Sequence, residues 1–246
     1  MKIKANKIYP LIFWLIIWWI TSKLINENLF FPSPFITFKA LSVLIFKRNF
    51  LFSVFNTVTR VFIGLIAANI FGIIFGLLSG LNDNIYKIVS PFITIIRSTP
   101  VISFIIIALV WFKSSNVPIF ISFLMCFPII WTNIVEGFKK VDTKLLEMCK
   151  IYNISTIKQI KKVYIPSLIP FYIAGFNLAL GISWKVTIAA EVLSHPAHAI
   201  GTNLSDSKIY LDTPELFAWT FIIIILSYIF EILITKFLNN KFKKFY

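Results

Sequence analysis

The 246-residue chain is poor in charge and in cysteine. Charged residues make up 14% of it, where a soluble domain has about a quarter, while 58% of the chain is hydrophobic. A chain of this size has too little core to hide so much apolar surface, so a soluble enzyme and a disordered protein are both excluded. Two cysteines, Cys126 and Cys149, are too few for a disulfide scaffold, and their positions predict free thiols. The composition indicates a polytopic membrane protein.

Acidic residues are especially scarce, with 10 of them against 24 basic residues and a net charge of +14. This balance can indicate nucleic-acid binding, but no basic stretch is interleaved with aromatic residues in a polar domain. Most of the lysines instead lie near the two ends of the chain and in the polar stretches between apolar runs, as in the cytoplasmic loops of membrane proteins. We therefore predict no nucleic-acid partner.

Six apolar stretches are long enough to cross a bilayer, which takes roughly 20 residues. They are residues 8–25, 54–79, 88–112, 117–135, 167–192 and 215–237. The first follows Lys2, Lys4 and Lys7 but is too long for a signal peptide and is followed by no cleavage motif, so it is predicted to stay as an anchor. Most basic loop residues fall on one side when the N-terminus is placed inside, which predicts that both termini are cytoplasmic.

Two local patterns bear on how the helices pack. Small residues recur at every fourth position of the second stretch, at Gly64, Ala68, Gly72, Gly76 and Gly80. Such a ridge lets helix backbones approach closely in lipid, either within the chain or between two copies. After the break at Phe31-Pro32-Ser33-Pro34, the spacing of apolar positions predicts a short helix over residues 35–50 on the outer surface, although a plain loop is also compatible.

Residues 136–166 form the only long polar stretch, and its length suggests a docking function. An amphipathic helix is predicted over residues 143–152, capped by Asp142 or Thr143. Asn153 suits the left-handed corner that ends this helix, and Ser155 is placed to cap a second helix that Pro166 is expected to stop. The apolar face predicted for the first helix consists of Leu145, Met148, Cys149 and Tyr152.

The loop resembles the coupling loop of type I ABC importer permeases, the binding-protein-dependent inner-membrane components. Their pattern is E-A-A, three residues, G, nine residues, then I-x-L-P. Here Glu147 stands first, Met148 and Cys149 replace the alanines, Asn153 replaces the glycine and Pro166 closes the pattern. The resemblance extends over residues 50–236. It includes Asn56-Thr57-Val58-Thr59-Arg60, Arg97-Ser98-Thr99-Pro100 and the stretch from Ala174-Gly175 to Glu191, and it is greatest for the nitrate, sulfonate and taurine branch.

The resemblance implies an all-α integral membrane protein with six transmembrane helices and a cytoplasmic coupling-helix loop. It implies one permease domain over residues 1–246, with its core at 50–236, in the bacterial inner membrane. It also implies three partners, namely a cytoplasmic ATPase dimer, an extracytoplasmic binding protein and a second permease copy, with a homodimer expected. The chain itself is expected to have no catalytic residue and no cofactor, because ATP and Mg are bound by the ATPase. The expected solute is a small anion such as a sulfonate, taurine or nitrate, with a vitamin or pyrimidine precursor as the alternative.

Charged residues inside the spans are candidates for function because burying charge in a membrane is costly. Arg60 and Glu191 are predicted at similar depths, where they either pair or line the solute pathway. Arg97 precedes Pro100. It either takes part in a gate or places its guanidinium group at the membrane–water interface, as long basic side chains do. Lys185, on the same predicted face as Asn177 and Gly181, is the main solute candidate. The alternative is a lysine that forms a salt bridge between helices or is satisfied by backbone carbonyls.

The sequence is less compatible with two other functional classes. An ion-coupled secondary carrier would be expected to show internal repeats and would have no need of the 136–166 loop. An intramembrane enzyme needs a nucleophile with a base, but Ser183, Thr187 and Glu191 align on one face without a histidine. No metal site is predicted, since His195 and His198 have no carboxylate or thiol beside them.

Overall fold

The computed structural model describes residues 5–242, and within that range the chain is built of α-helices and one π-helical turn. The first six helices are α1 Ala5–Ile25, α2 Pro34–Ile45, α3 Phe50–Leu81, α4 Asp83–Ser98, α5 Val101–Trp111 and α6 Val117–Lys139. The others are α7 Thr143–Ile151, α8 Thr156–Gln159, the π turn Ile160–Tyr164, α9 Ile165–Ser194, α10 Ile200–Ile209 and α11 Thr213–Phe242. Four residues that count toward the predicted orientation, Lys2, Lys4, Lys243 and Lys244, lie outside the described range, as does the side chain of Lys7.

Among the described residues, four helices are long and apolar enough to cross a membrane: α3, α6, α11 and the continuous helix Thr156–Ser194. The α4 and α5 helices pass the same test only as a pair, and they are bent by 104° relative to each other. In α1, the apolar helix with described side chains is the shorter Ile12–Ile25. Six spans therefore remain a prediction from the sequence.

The predicted third span, residues 88–112, is not one helix. It is divided between α4 and α5, with Thr99 and Pro100 in extended conformations at the corner. Pro100 has no N–H to donate and disfavours helical geometry at Thr99, so the α4 helix ends at Ser98. The kink expected from Pro100 is present, but it is a sharp corner that redirects the chain.

The α6 helix lies at the centre of the bundle, between α3 and α9. The small-residue ridge of α3 faces it. A Cβ atom added at Gly72 would lie 2.7 Å from Ile130 Cβ, and one at Gly76 would lie 2.7 Å from Ile134 Cβ. The ridge therefore serves packing within the chain. On the other side of α6, Gly137 lets Leu168 of α9 approach closely.

The N-terminal helices pack against α11 at one edge of the bundle. The predicted helix after Ser33 is present as α2, with Ser33 Oγ accepting a hydrogen bond from Ile36 N. Leu44 of α2 is buried in a cluster with Ala218 and Trp219 of α11. Trp18 of α1 stacks on Phe221 of α11, with ring centroids 5.3 Å apart.

Candidate functional site

The polar loop begins with the predicted helix, α7, which ends one residue earlier than expected. Asp142 is its N-cap, with its carboxylate accepting a hydrogen bond from Lys144 N at 2.9 Å. Asn153 adopts the left-handed conformation with a φ of 48°, as predicted from its place in the pattern. Its short polar side chain tolerates that conformation better than most residues do. Ser155 is the N-cap residue of α8, although its side chain makes no capping hydrogen bond.

Cys149 does not share the exposed face of α7, which corrects the predicted apolar face. It is 1% exposed and lies in a small cluster with Val141 and Val163 that attaches the helix to its own loop. Leu145, Met148 and Tyr152 are 40%, 43% and 74% exposed. The four residues of the predicted apolar face span about 100° around the helix axis, with Cys149 at one edge. Only this edge faces the neighbouring segments of the loop.

The exposed apolar patch of the loop is larger than the sequence reasoning indicated. We define the loop patch as the exposed apolar side chains Leu145, Met148, Ile151, Tyr152 and Ile157. Glu147 is exposed beside it, as are the lysines of the same segment. Ile151 and Ile157 are 76% and 68% exposed. Their place as apolar residues among lysines in a polar loop was the sequence signal that could have assigned them to an exposed patch.

Pro166 does not stop the second helix, contrary to expectation. The chain stays helical from Thr156 to Ser194 through the π turn, in which Ile165 N donates to Ile160 O, five residues back. This wider turn accommodates a proline that would clash with an ordinary α-helical turn. Ser167 Oγ also donates to Val163 O at 2.8 Å, which supplies a further hydrogen bond where the backbone ladder is disturbed.

The predicted contact between Arg60 and Glu191 is present. Arg60 Nη1 lies 2.8 Å from Glu191 Oε1, and the two side chains are 9% and 0% exposed. Arg60 Nη2 also donates to Ala197 O in the segment after α9. The pair therefore joins α3, α9 and the connection to α10, which is the structural alternative proposed for these residues.

Two partners of Glu191 were not anticipated. Thr57 Oγ1 donates to the carboxylate at 2.9 Å, and Gly201 N donates to Oε2 at 3.0 Å. The Thr57 hydroxyl in turn accepts a hydrogen bond from Ile200 N. A Cβ at Gly201 would lie 2.5 Å from Glu191 Cβ, so the backbone approaches closely only because that residue is glycine. Thr57, one turn before Arg60, was recognisable from its spacing, whereas the contact with Gly201 depends on the tertiary fold.

One face of α9 is left open by the rest of the chain. It carries Ala174, Leu178, Gly181, Lys185 and Ala189 at intervals of three and four residues. Four of these side chains are exposed, and a Cβ built at Gly181 meets no atom within 4 Å. Among the described residues, Lys185 makes no ion pair or hydrogen bond. The salt bridge between helices, predicted as the alternative role of Lys185, is not formed among the described residues.

Asn177 does not belong to this open face, in contrast to the prediction. Its amide oxygen accepts a hydrogen bond from Thr235 Oγ1 of α11 at 3.1 Å. Eight residues of α-helix exceed two full turns by about 80°, so Asn177 and Lys185 point to different sides. Arg97 is exposed in the last turn of α4, beside the corner at Pro100, and it too has no polar partner in the part of the chain that the structure describes.

The described residues thus form apolar helices of membrane-spanning length, two of which are joined by a buried ion pair, and this indicates an integral membrane protein. A family model described as binding-protein-dependent transport system inner membrane component matches residues 61–244. The chain belongs to this family.

Curated relatives agree with this assignment. The chain is 30% identical to the bicarbonate transport system permease protein CmpB of Synechococcus elongatus over 152 residues, which cover 61% of this chain and 55% of that protein. The match thus spans little more than half of that relative's length. This chain is also 23% identical to the taurine transport system permease protein TauC of Escherichia coli over 225 residues, which cover 89% of this chain and 82% of TauC.

Solved structures show the same fold at low sequence identity. A chain of the MetNI methionine ABC transporter, in an inward-facing conformation, aligns with a TM-score of 0.67 at 16% identity and covers 80% of this chain and 96% of its own. A chain of a bacterial ABC transporter involved in import of the acidic polysaccharide alginate gives 0.64 at 16% identity, covering 98% and 94%. The fold is that of the type I ABC importer permeases, as the sequence predicted.

Proposed function

We propose that this chain is the permease subunit of an ATP-driven importer and forms the passage for a small anionic solute. The choice of solute rests on Lys185, which is exposed on the open face of α9 and has no ion-pair partner among the described residues. An ammonium within a membrane helix is costly unless it meets water, a partner or a ligand, and it attracts anions. The names of the relatives are consistent, since they refer to bicarbonate, taurine, sulfonates and nitrate.

The solute proposal is tested by uptake into proteoliposomes containing the complete transporter. Lys185→Met keeps most of the length of the side chain and removes its charge. At an effective dielectric near 20, a contact of unit charges at ~4 Å is worth about 4 kcal/mol before desolvation. We expect anion uptake to fall at least tenfold, with Lys185→Arg partly active. Leu178→Met, on the same open face, is the matched control and should transport normally. Normal uptake by Lys185→Met in an assembled complex would remove the solute role.

The loop patch is proposed as the docking surface for a cytoplasmic ATPase dimer. Family membership supports this, because these permeases have no nucleotide site of their own and work with a partner. Met148→Asp would place a charge in an apolar interface, and burying an unpaired charge is strongly unfavourable. The ATPase should then be lost on co-purification while the permease remains in the membrane. Lys150→Asp introduces the same carboxylate outside the loop patch and should retain the ATPase. Retention by both variants would place the ATPase elsewhere.

A second copy of the chain is proposed to complete the passage, together with an external binding protein that delivers the solute. The open face of α9 supports this proposal, because a single chain leaves that face exposed and a second copy could cover it. A cysteine at Gly181 has room for its side chain. In a background lacking Cys126 and Cys149, a short bis-maleimide should link two such chains, whereas Val110→Cys, on the exposed part of α5, should not be linked. Absence of the Gly181→Cys dimer would argue against a homodimer joined at this face.

The orientation remains the one proposed from the lysine distribution, with the loop and both termini in the cytoplasm. Asn153 and Tyr210 are both exposed, Tyr210 at 81%, and they lie at opposite ends of the long helices. A cysteine at Asn153 should be labelled by an impermeant reagent only from the cytoplasmic side. A cysteine at Tyr210 should be labelled only from outside. Labelling of both from one side would contradict the arrangement.

A further inference from the structure

The exposed half of α4 is divided lengthwise into a polar sector and an apolar sector. The polar sector carries Asp83, Lys87, Pro91, Thr94, Arg97 and Ser98, which repeat at intervals of three and four residues and are all exposed. The apolar sector carries Ile88, Phe92 and Ile95, which are 76%, 53% and 58% exposed. The opposite side of the helix is buried through Ile93 and Ile96. No part of the described chain covers either exposed sector.

The apolar sector is suited to a hydrocarbon environment. Ile88 and Phe92 continue into a cavity of about 340 Å³ whose other walls include Phe71, Phe75 and Phe127. This surface offers almost no hydrogen-bonding group. Lipid chains are as apolar as these side chains, so contact with lipid satisfies the sector fully.

The polar sector requires a different environment. Arg97 and Lys87 have no ion-pair or hydrogen-bond partner among the side chains and backbone that the structure describes. The hydroxyl of Thr94 donates to Ser90 O within the helix, and its oxygen can still accept a hydrogen bond. Cations within membrane helices usually face a water-filled cavity or the interior of a bundle, because exposure to lipid is costly. The two sectors of α4 are therefore suited to two different environments, lipid on one side and water on the other.

The polar sector of α4 and the open face of α9 are connected through α5. Val101, which follows the corner at Pro100, packs against the apolar cluster that contains Val186, the residue after Lys185. The α5 helix contacts α9 through this cluster. Packed side chains therefore lead from the corner after Arg97 to the part of α9 that carries Lys185. Lys87, ten residues before Arg97, lies about 15 Å further along α4 toward the end that meets the polar loop.

We propose that the polar sector of α4 lines the aqueous route by which the anionic solute leaves the Lys185 region, with Arg97 and then Lys87 attracting it in turn. The inference rests on the proposed function as an anion permease and adds the route to it. The two cations are spaced along one helix face with only small hydroxyl side chains and a proline between them. An anion moving past them meets no apolar barrier on this side.

Neighbouring cysteine variants distinguish the two sectors. Thr94→Cys and Ile95→Cys are adjacent, both exposed, and lie on the polar and apolar sectors. In the assembled transporter without Cys126 and Cys149, each is treated with an anionic and a cationic methanethiosulfonate of similar size. We expect Thr94→Cys to react at least tenfold faster than Ile95→Cys, and faster with the anion than with the cation. Adding Arg97→Met should lower that anion-to-cation ratio severalfold, whereas adding Lys139→Met, outside the sector, should leave it unchanged.

Equal rates at Thr94→Cys and Ile95→Cys, or a ratio insensitive to Arg97→Met, would overturn the route. This readout does not depend on uptake, so it fails separately from the proposed function. Anion uptake by the parent transporter together with an unreactive Thr94→Cys would refute the route and leave the permease function standing. A charge-selective Thr94→Cys in a transporter that moves no anion would support the aqueous sector and refute the proposed solute class.

Discussion

Replacing Arg60 by methionine would remove the cation from a carboxylate that solvent does not reach. The side chain of Glu191 is 0% exposed, and its Oε1 lies 2.8 Å from Arg60 Nη1. Thr57 Oγ1 and Gly201 N would still donate to the carboxylate, but its charge would be unbalanced. Breaking a buried pair by removing one partner typically costs about 3–5 kcal/mol. Because two donors remain, we expect Arg60→Met to lower the free energy of unfolding by about 3 kcal/mol.

The assay is reversible unfolding in mixed detergent micelles, followed by tryptophan fluorescence. Adding Glu191→Gln to Arg60→Met removes the charge and keeps an oxygen that can accept from Gly201 N, so the double variant should recover more than half of the loss. Lys47→Met is the matched control, because it breaks an exposed pair with Glu215 and should cost no more than about 1 kcal/mol. If Arg60→Met unfolds like Lys47→Met, or if the double variant is no more stable than the single one, the argument from the buried charge is refuted.

Three further predictions concern packing and capping, and each is measured by the same unfolding assay. Gly76→Ala should destabilise the protein by roughly 1–3 kcal/mol because its Cβ would overlap Ile134, and Ile134→Ala should restore part of the loss. Gly201→Ala should separate α10 from Glu191 and destabilise by a similar amount, and an unchanged stability would show that the backbone approach is not tight. Asp142→Ala should cost about 0.5–2 kcal/mol through the lost cap of α7, while Asp142→Asn should cost much less.

Much of the architecture followed from spacing and hydropathy. The depths of Arg60 and Glu191 in their helices were enough to predict their contact, and the pattern of the loop predicted the left-handed Asn153. The ridge of small residues predicted close helix packing, but spacing alone did not say whether the other helix came from the same chain. In the structure the other helix is α6 of the same chain, which contacts Gly72 through Ile130 and Gly76 through Ile134.

Other features depended on contacts that the sequence does not show. A helical wheel groups Cys149 with Met148, but which edge is buried depends on Val141 and Val163 in neighbouring segments. The rule that proline ends helices failed at Pro166, because a π turn precedes it. The polar sector of α4 was missed because residues 88–112 were interpreted as one span, whereas Asp83 and Lys87 precede that range and the helix ends at Ser98.

The unbroken helix from Thr156 to Ser194 has a mechanical consequence, because it joins the polar loop directly to the segment that carries Lys185. Leu168 packs closely against Gly137 of α6, and Gly175, seven residues further on, packs against Asn133 of α6. From Leu168 to Thr156 and to Lys185 the helix measures about 18 Å and about 26 Å at 1.5 Å per residue. A rigid tilt about Leu168 that displaced Thr156 by ~2 Å would therefore displace Lys185 by ~3 Å in the opposite direction. A movement of the loop can in this way reach the lysine without any change within the helix.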